Sequence, residues 1–283
     1  MNAYKEQFMK GIFFLAACMS ILAVLLICLF LLLNGIPAME KIGLFPFLLG
    51  KHWKPSNEVF GILPMIMGSL YVTAGAIVIG VPIGVLTAVF LANFCPKLLH
   101  RILKPMIELL AGIPSVVYGF FGLVMIVPFV RNHIGGNGSS ILTASILLGI
   151  MILPSIISVS ESALRAVPQS YYEGGLALGA THERSVFSLV VPAAKSGIFA
   201  GIILGIGRAI GETMAVIMVA GNQARMPAGI LKGVRTLTSN IVIEAGYAAD
   251  LHKEALIATA VVLFVFILML NLSFTLLQRR TKE

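Results

Sequence analysis

The chain has 283 residues, of which 58% are hydrophobic and only 11% charged, with mean hydropathy +0.99; soluble domains carry about 25% charged residues, so it reads as an integral membrane protein. Its net charge of +8 is first explained by basic residues flanking cytoplasmic helix ends, which leaves nucleic-acid binding without a basis. Three cysteines (Cys18, Cys28, Cys95) imply no disulfide framework, and five scattered histidines lack metal-ligand spacing, so no metal or cofactor is expected.

Residues 11–33 form the first apolar stretch. It is longer than a signal-peptide core and no A-x-A site follows, so it is expected to stay as a helix with its N-terminus in the cytoplasm. Residues 34–61 hold Pro37, Pro46, Pro55 and the only tryptophan, Trp53, as suits an external loop at the membrane interface. The second span, 62–94, is long enough to tilt or project, with Pro64 in its first turn and Pro82 inside. Basic Lys97, Arg101 and Lys104 follow. The third span is expected at 105–130, with Glu108 pairing Lys104 at i,i+4 spacing. After a glycine-rich turn the fourth span covers 140–160.

Residues 161–194 are polar and read as cytoplasmic. Ser170 and Glu173 have capping-box spacing, Gly179 suits a left-handed helix end, and a second short helix is expected from Thr181 to about Val190, stopped by Pro192. The residues alone leave two readings level: a rigid knob for a cytoplasmic partner, or an ordinary inter-span loop.

The fifth span, 195–219, carries Arg208 and Glu212 at its centre. Ionisable residues at that depth are expensive and point to function, although a self-neutralising i,i+4 pair would be purely structural. They are expected to share one helix face with Gly197, Gly201 and Gly205, where another helix can approach closely. Residues 220–253 read as a long external loop, partly re-entrant, and 254–277 as the sixth span, closed inside by Arg279, Arg280 and Lys282. No GxxxxGK[ST] occurs, so ATP is not bound here by a P-loop. Neither a nucleophile–base pair nor paired catalytic carboxylates suggest an enzyme.

The run Glu173-Gly174-Gly175, three residues, Gly179, nine residues, Leu189-Val-Val191-Pro192 resembles the EAA loop of ABC-importer permeases, with glycines for the two alanines. The runs GRAIGETMAV (207–216) and AGIPSVVYG (111–119) resemble the phosphate-specific permeases of that family; sulfate and molybdate permeases share R-A-x-G-E but continue with Phe, so Thr213 and Met214 favour phosphate. The resemblance implies an all-α, six-span type I importer permease in the cytoplasmic (inner) membrane, both termini inside. It implies four partners: a second homologous permease, two copies of an ATPase and an external phosphate-binding protein. Glu173, Gly174, Gly175, Gly179, Leu189, Val191 and Pro192 would couple to the ATPase, and Arg208 and Glu212 would line the substrate pathway. A stand-alone anion channel or secondary transporter would leave the polar segment unexplained.

Overall fold

The computed structural model describes residues 3–280. They form a helical bundle in which five helices are long and apolar enough to cross a membrane, six if the bent pair His182–Ala193 and Lys195–Gly211 is one span. In order these are α1 (Ala3–Ile42), α2 (Leu44–Leu49), a two-stranded hairpin of β1 (Trp53–Lys54) and β2 (Val59–Phe60), α3 (Leu63–Val89), α4 (Lys97–Gly112), α5 (Ser115–Phe121) and α6 (Val127–His133). Then come α7 (Ile141–Arg165), α8 (Gln169–Ala177), α9 (His182–Ser185), α10 (Val191–Ala193), α11 (Lys195–Gly211), α12 (Met214–Val219), α13 (Leu237–Ala245) and α14 (Asp250–Arg280). Lys282 of the closing basic run lies outside the described residues.

α7 is the central helix. Lipid offers no hydrophobic force between spans, so association depends on close packing through small residues. A Cβ at Gly80 or Gly84 of α3 would come within 2.8 Å of Ile152 or 2.9 Å of Ile156. On the other side Gly197, Gly201 and Gly205 of α11 face Ala163, Ser160 and Ile156 of the same helix. The predicted small-residue face of the fifth span is therefore its seam with α7. Ser145 Oγ adds a bond to Val72 O, 3.2 Å.

Two ends cap this bundle. At one, Phe47, Trp53, Phe60 and Ile62 pack against Leu237 of α13 and Ala255 of α14. At the other, Val89, Leu91, Leu164, Val186 and Val190 tie the ends of α3 and α7 to the polar segment. α13 starts inside the bundle, where Leu237 N–H donates to Ser69 Oγ of α3 at 3.0 Å.

Prolines shape the spans more than their sequence spacing indicated. Before Pro96, Pro128 and Pro192 the helix widens into a π-turn (90–94, 122–126, 186–190). In each, the N–H just before the proline (Cys95, Val127, Val191) bonds to the carbonyl five residues back. At Pro128 and Pro192, where the helix continues, the wider turn keeps the ring clear of the carbonyl it would strike in an α-helix; at Pro96 the helix ends, with Cys95 extended. The third span is broken: Ile113, forced extended by Pro114 (ψ 127°), ends α4 at Gly112, and the crossing stretch is 115–133. α4 is amphipathic. His100 and Lys104 face the bundle, whereas Leu98, Ile102 and Leu109 are exposed. The fourth span runs on to Arg165, so the polar segment begins at 166. Trp53 is buried and donates to Glu244 at 2.7 Å, a core residue of the cap and not an interfacial one.

The α7–α11 seam makes a stability prediction. Gly205→Val places its side chain against Ile156, whose Cγ1 lies 2.8 Å from a Cβ there, and should cost about 1–3 kcal/mol by overpacking. Ile156→Ala alone should cost about 2–5 kcal/mol. The double variant, followed by thermal unfolding in detergent, should be more stable than the sum of the two; strict additivity would mean the residues do not meet.

Candidate functional site

The fifth span is not continuous. α11 ends at Gly211, Glu212 is extended (φ −70°, ψ 130°) and α12 starts at Met214. The expected i,i+4 pair of Arg208 with Glu212 is therefore absent, because the residues that would close that turn leave the helix. The Glu212 carboxylate instead turns forward, Oε1 accepting from Ala215 N–H at 3.2 Å, and so caps α12. Its carbonyl accepts from Thr238 Oγ1 of α13 at 3.1 Å. Broken helices at membrane depth are tolerated where neighbouring groups satisfy the freed backbone, and α13 provides that here.

Arg208 sits one turn before the break, half-buried, and makes no ion pair among the described residues. It lines a cavity of about 570 Å³ between α7, α11 and α14, together with Ser155, Gly207 and Asn271. A guanidinium without a carboxylate, beside polar groups on a roomy cavity, is equipped to bind a transient anion through its planar fork of donors.

The polar segment is a compact knob. α8 ends in a Schellman motif: Gly179 is left-handed (φ 81°), its N–H bonds Leu176 O at 2.9 Å, and Ala180 N–H bonds Gly175 O at 3.1 Å. Thr181 caps α9, accepting from Arg184 N–H at 3.3 Å. The capping box at Ser170 does not form; α8 begins at Gln169 after Pro168 and has no side-chain cap, so Ser170 lies within its first turn. Pro192 does not stop the second helix, which passes it by the π-turn, ends at Ala193 and bends by 69° into α11. Gly175 is buried with Leu189 Cδ1 2.7 Å from where a Cβ would stand, so alanine there would push α8 off its neighbour, while Gly174 faces open space. Glu173 is exposed, with no ion pair among the described residues. Val191 and Pro192 lie at the bend, about 20 Å of helix from Arg208 at 1.5 Å per residue.

A family model described as the binding-protein-dependent transport system inner membrane component matches residues 80–283. The chain belongs to that family. A Bacillus subtilis (strain 168) protein described as the probable ABC transporter permease protein YqgH is 37% identical to this inner membrane component over 275 residues, 93% of this chain and 89% of its own. The phosphate transport system permease protein PstC of Mesorhizobium japonicum is 36% identical over 242 residues (78% and 74%), and that of Haemophilus influenzae 34% over 271 (88% and 86%). Among solved structures, an alginate ABC transporter chain superposes with TM-score 0.65 at 14% identity, covering 99% of this chain and 98% of that one. A chain of the inward-facing MetNI methionine transporter gives 0.64 at 18%, covering 81% and 99%. These distant likenesses establish the fold.

Two features of this inner membrane component escaped the sequence. Glu161, buried near the end of α7, accepts from His100 (2.7 Å), Lys104 (2.9 Å) and Arg165 (2.9 Å) and so joins α4 to α7 beside the knob. Lys104 also reaches Glu108 at 3.8 Å, the pair the spacing predicted. An acid one residue past an apolar run, with cations 57 and 61 residues earlier, gives no local signal. Leu178, 91% exposed beside Gly179, is the second feature: an apolar tip on a polar segment.

The cap role of Glu212 can be separated from any pathway role. Glu212→Gln keeps an acceptor for Ala215 N–H and should assemble normally. Glu212→Ala should lose about 1 kcal/mol, as other lost caps do, and lower the detergent melting point. Equal melting points for the two would show that the cap contributes nothing.

Proposed function

We propose that this chain is the membrane-spanning subunit of an ATP-driven importer that carries inorganic phosphate across the cytoplasmic membrane. It would pair with a second homologous permease, two copies of an ATPase on the cytoplasmic side and an external phosphate-binding protein. The observation that carries this reading is Arg208, a cation with no ion-pair partner among the described residues, set beside a helix break on a cavity and within the run GRAIGETMAV. The relatives named PstC support phosphate as the anion. The basic cluster of Lys97, Arg101 and Lys104 beside the knob supports a cytoplasmic assignment for that end, with the hairpin cap outside.

On this reading Arg208 offers its fork to two oxygens of a passing oxyanion, and release follows when α11 tilts and the geometry is lost. α11 begins at the bend below the knob, so displacement of Glu173, Leu178 and their neighbours by an ATPase reaches Arg208 through a single stiff helix. The two permeases would thus rock between inward- and outward-open states.

Reconstitution with the second permease, the ATPase and the external binding protein, and a panel of oxyanions, tests the whole. Phosphate uptake should exceed sulfate and molybdate uptake; a preference for either of those would overturn the substrate. Arg208→Ala should reduce uptake at least a hundredfold with assembly retained. The variant Arg208→Met/Glu212→Leu should also assemble poorly relative to Arg208→Met alone, because it removes the α12 cap. Near-normal uptake by an assembled Arg208 variant would sink the pathway role.

Coupling has its own test. Gly179 has open space around it but a positive φ, so Gly179→Val is strained by its backbone alone, about 1–2 kcal/mol. It should lower ATPase co-purification and uptake together, whereas Gly179→Asn, which tolerates the left-handed region, should restore both. Wild-type transport by the valine variant would remove the knob from the mechanism.

A further inference from the structure

We infer a second oxyanion site, at the end of the bundle opposite the knob, in a small cavity between the loop after α6 and the loop after α12. Its assignment as a receiving site for the transported anion rests on the reading above, which makes this end external. The cavity measures about 70 Å³ and is walled by Asn137, Ser139, Gln223, Arg225 and Lys232.

Charge is the first argument. Between Glu108 and Glu161, and again between Glu212 and Glu244, the chain contains no acidic residue, yet the end of α6 carries Arg131 and the loop after α12 carries Arg225, Lys232 and Arg235. Arg235 is neutralised by Glu244. Arg225 and Lys232 form no ion pair among the described residues. The insertion bias that favours basic loops inside works against cations here, so nothing about topology calls for them. Unneutralised cations on a small concavity concentrate field lines and draw in anions. Arg131 braces the same wall, its Nε donating to Asn137 O at 3.1 Å.

Construction is the second. The walls are fixed by main-chain bonds: Ile141 N–H to Lys232 O (3.1 Å), Leu142 N–H to Ile230 O (2.9 Å) and Val234 N–H to Ala220 O (2.9 Å). The first amides of α7 are consumed in this way, so the charge partners for an anion are the two side chains and not the helix end. Gly136 (φ 73°) and Gly233 also line the space; a Cβ on them would come within 3.0 Å of Leu231 O and 3.1 Å of Gln223 Cδ. Glycine thus keeps the cavity open on two sides. Finally, Gln223 Oε1 is buried there with no hydrogen-bond partner among the described residues. An amide can turn to donate to an oxyanion or to accept from the hydroxyl of a protonated one. The site would hold the ion between its release outside and its passage to Arg208.

The test uses the assembled transporter in nanodiscs, with Cys18, Cys28 and Cys95 replaced and Ser139→Cys as a reporter on the wall. The anionic sulfonate methanethiosulfonate should label it about tenfold faster than the cationic trimethylammonium one, and millimolar inorganic phosphate should slow both severalfold. Arg225→Gln/Lys232→Gln should remove the preference and the protection. Gly233→Val, which crowds Gln223 and alters no charge, should weaken the protection while the preference for the anionic reagent persists. Labelling indifferent to phosphate, or a preference that survives loss of both cations, overturns the site. Protection by phosphatidylglycerol nanodiscs without added phosphate, absent in phosphatidylcholine, would assign the cavity to a lipid headgroup and overturn the proposal. Protection by the external binding protein but not by phosphate would assign it to protein docking and overturn the proposal equally. Sulfate is the separating arm: protection by sulfate and phosphate alike supports the cavity even if uptake carries sulfate alone, in which case the proposed substrate falls and the site stands.

Discussion

Everything in this bundle depends on how closely α3 and α11 approach α7. In lipid a leucine gains little by leaving the chains of the bilayer for the side chains of a neighbour, so contact must come from fitting backbones together. Glycines at 75, 80 and 84 on one helix and at 197, 201 and 205 on another face the flank of α7. That arrangement fixes α11 along one face while leaving its remaining surface, including Ala200, Leu204 and Arg208, to the cavity. The same small residues therefore serve two ends. They hold the bundle together, and they decide which face of the charged helix is committed to packing.

The chain then interrupts its helices at chosen depths without unravelling them. π-turns carry the helix through Pro128 and Pro192, each with an i→i−5 bond, and a third ends the helix at Phe94 before the extended Cys95 and Pro96. The break at Glu212 is of another kind, with extended backbone and its polar groups taken up by Ala215 and Thr238. A π-turn bends a stiff rod; an extended link lets two rods move independently. The knob is joined to α11 by the separate 69° bend between Ala193 and Lys195, whereas α11 is joined to α12 by the extended link at Glu212. At the knob's base Glu161, Arg165 and Leu91 O connect α4, α7 and the end of α3, so the knob rests on a braced platform.

Much of this is legible in the chain. The second span (Leu63–Phe94) lies within a residue of the extent its composition predicts, because an unbroken apolar run ended by a charged stretch leaves little choice. Gly179 and Thr181 are readable since left-handed glycines and threonine caps are local chemistry. What composition and spacing miss is anything decided by a partner elsewhere. Glu212 has the spacing of the fourth residue of a helical pair, and only the backbone rotation at 212, supported by Thr238 from 26 residues away, shows otherwise. Trp53 suits the interface because tryptophan usually does; a carboxylate 191 positions later buries it. The third span misleads because apolar composition continues through Gly112, and the amphipathic pattern of α4 becomes meaningful only once Glu161 identifies its polar side.

The loss of the expected pair changes the physics around Arg208. An Arg208–Glu212 pair would have been neutral, compatible with a dry surround, and a poor anion binder. Separated, the arginine keeps its full charge, and a charge at mid-membrane depth costs several kcal/mol unless water or a counter-ion reaches it. The cavity of about 570 Å³ with Ser155 and Asn271 beside the guanidinium provides that access. Burial of the same arginine in a closed, dry state would then demand an anion as its partner. On the proposed function, such a site shuts around its anion more readily than it shuts empty, and the charge itself favours moving only when loaded.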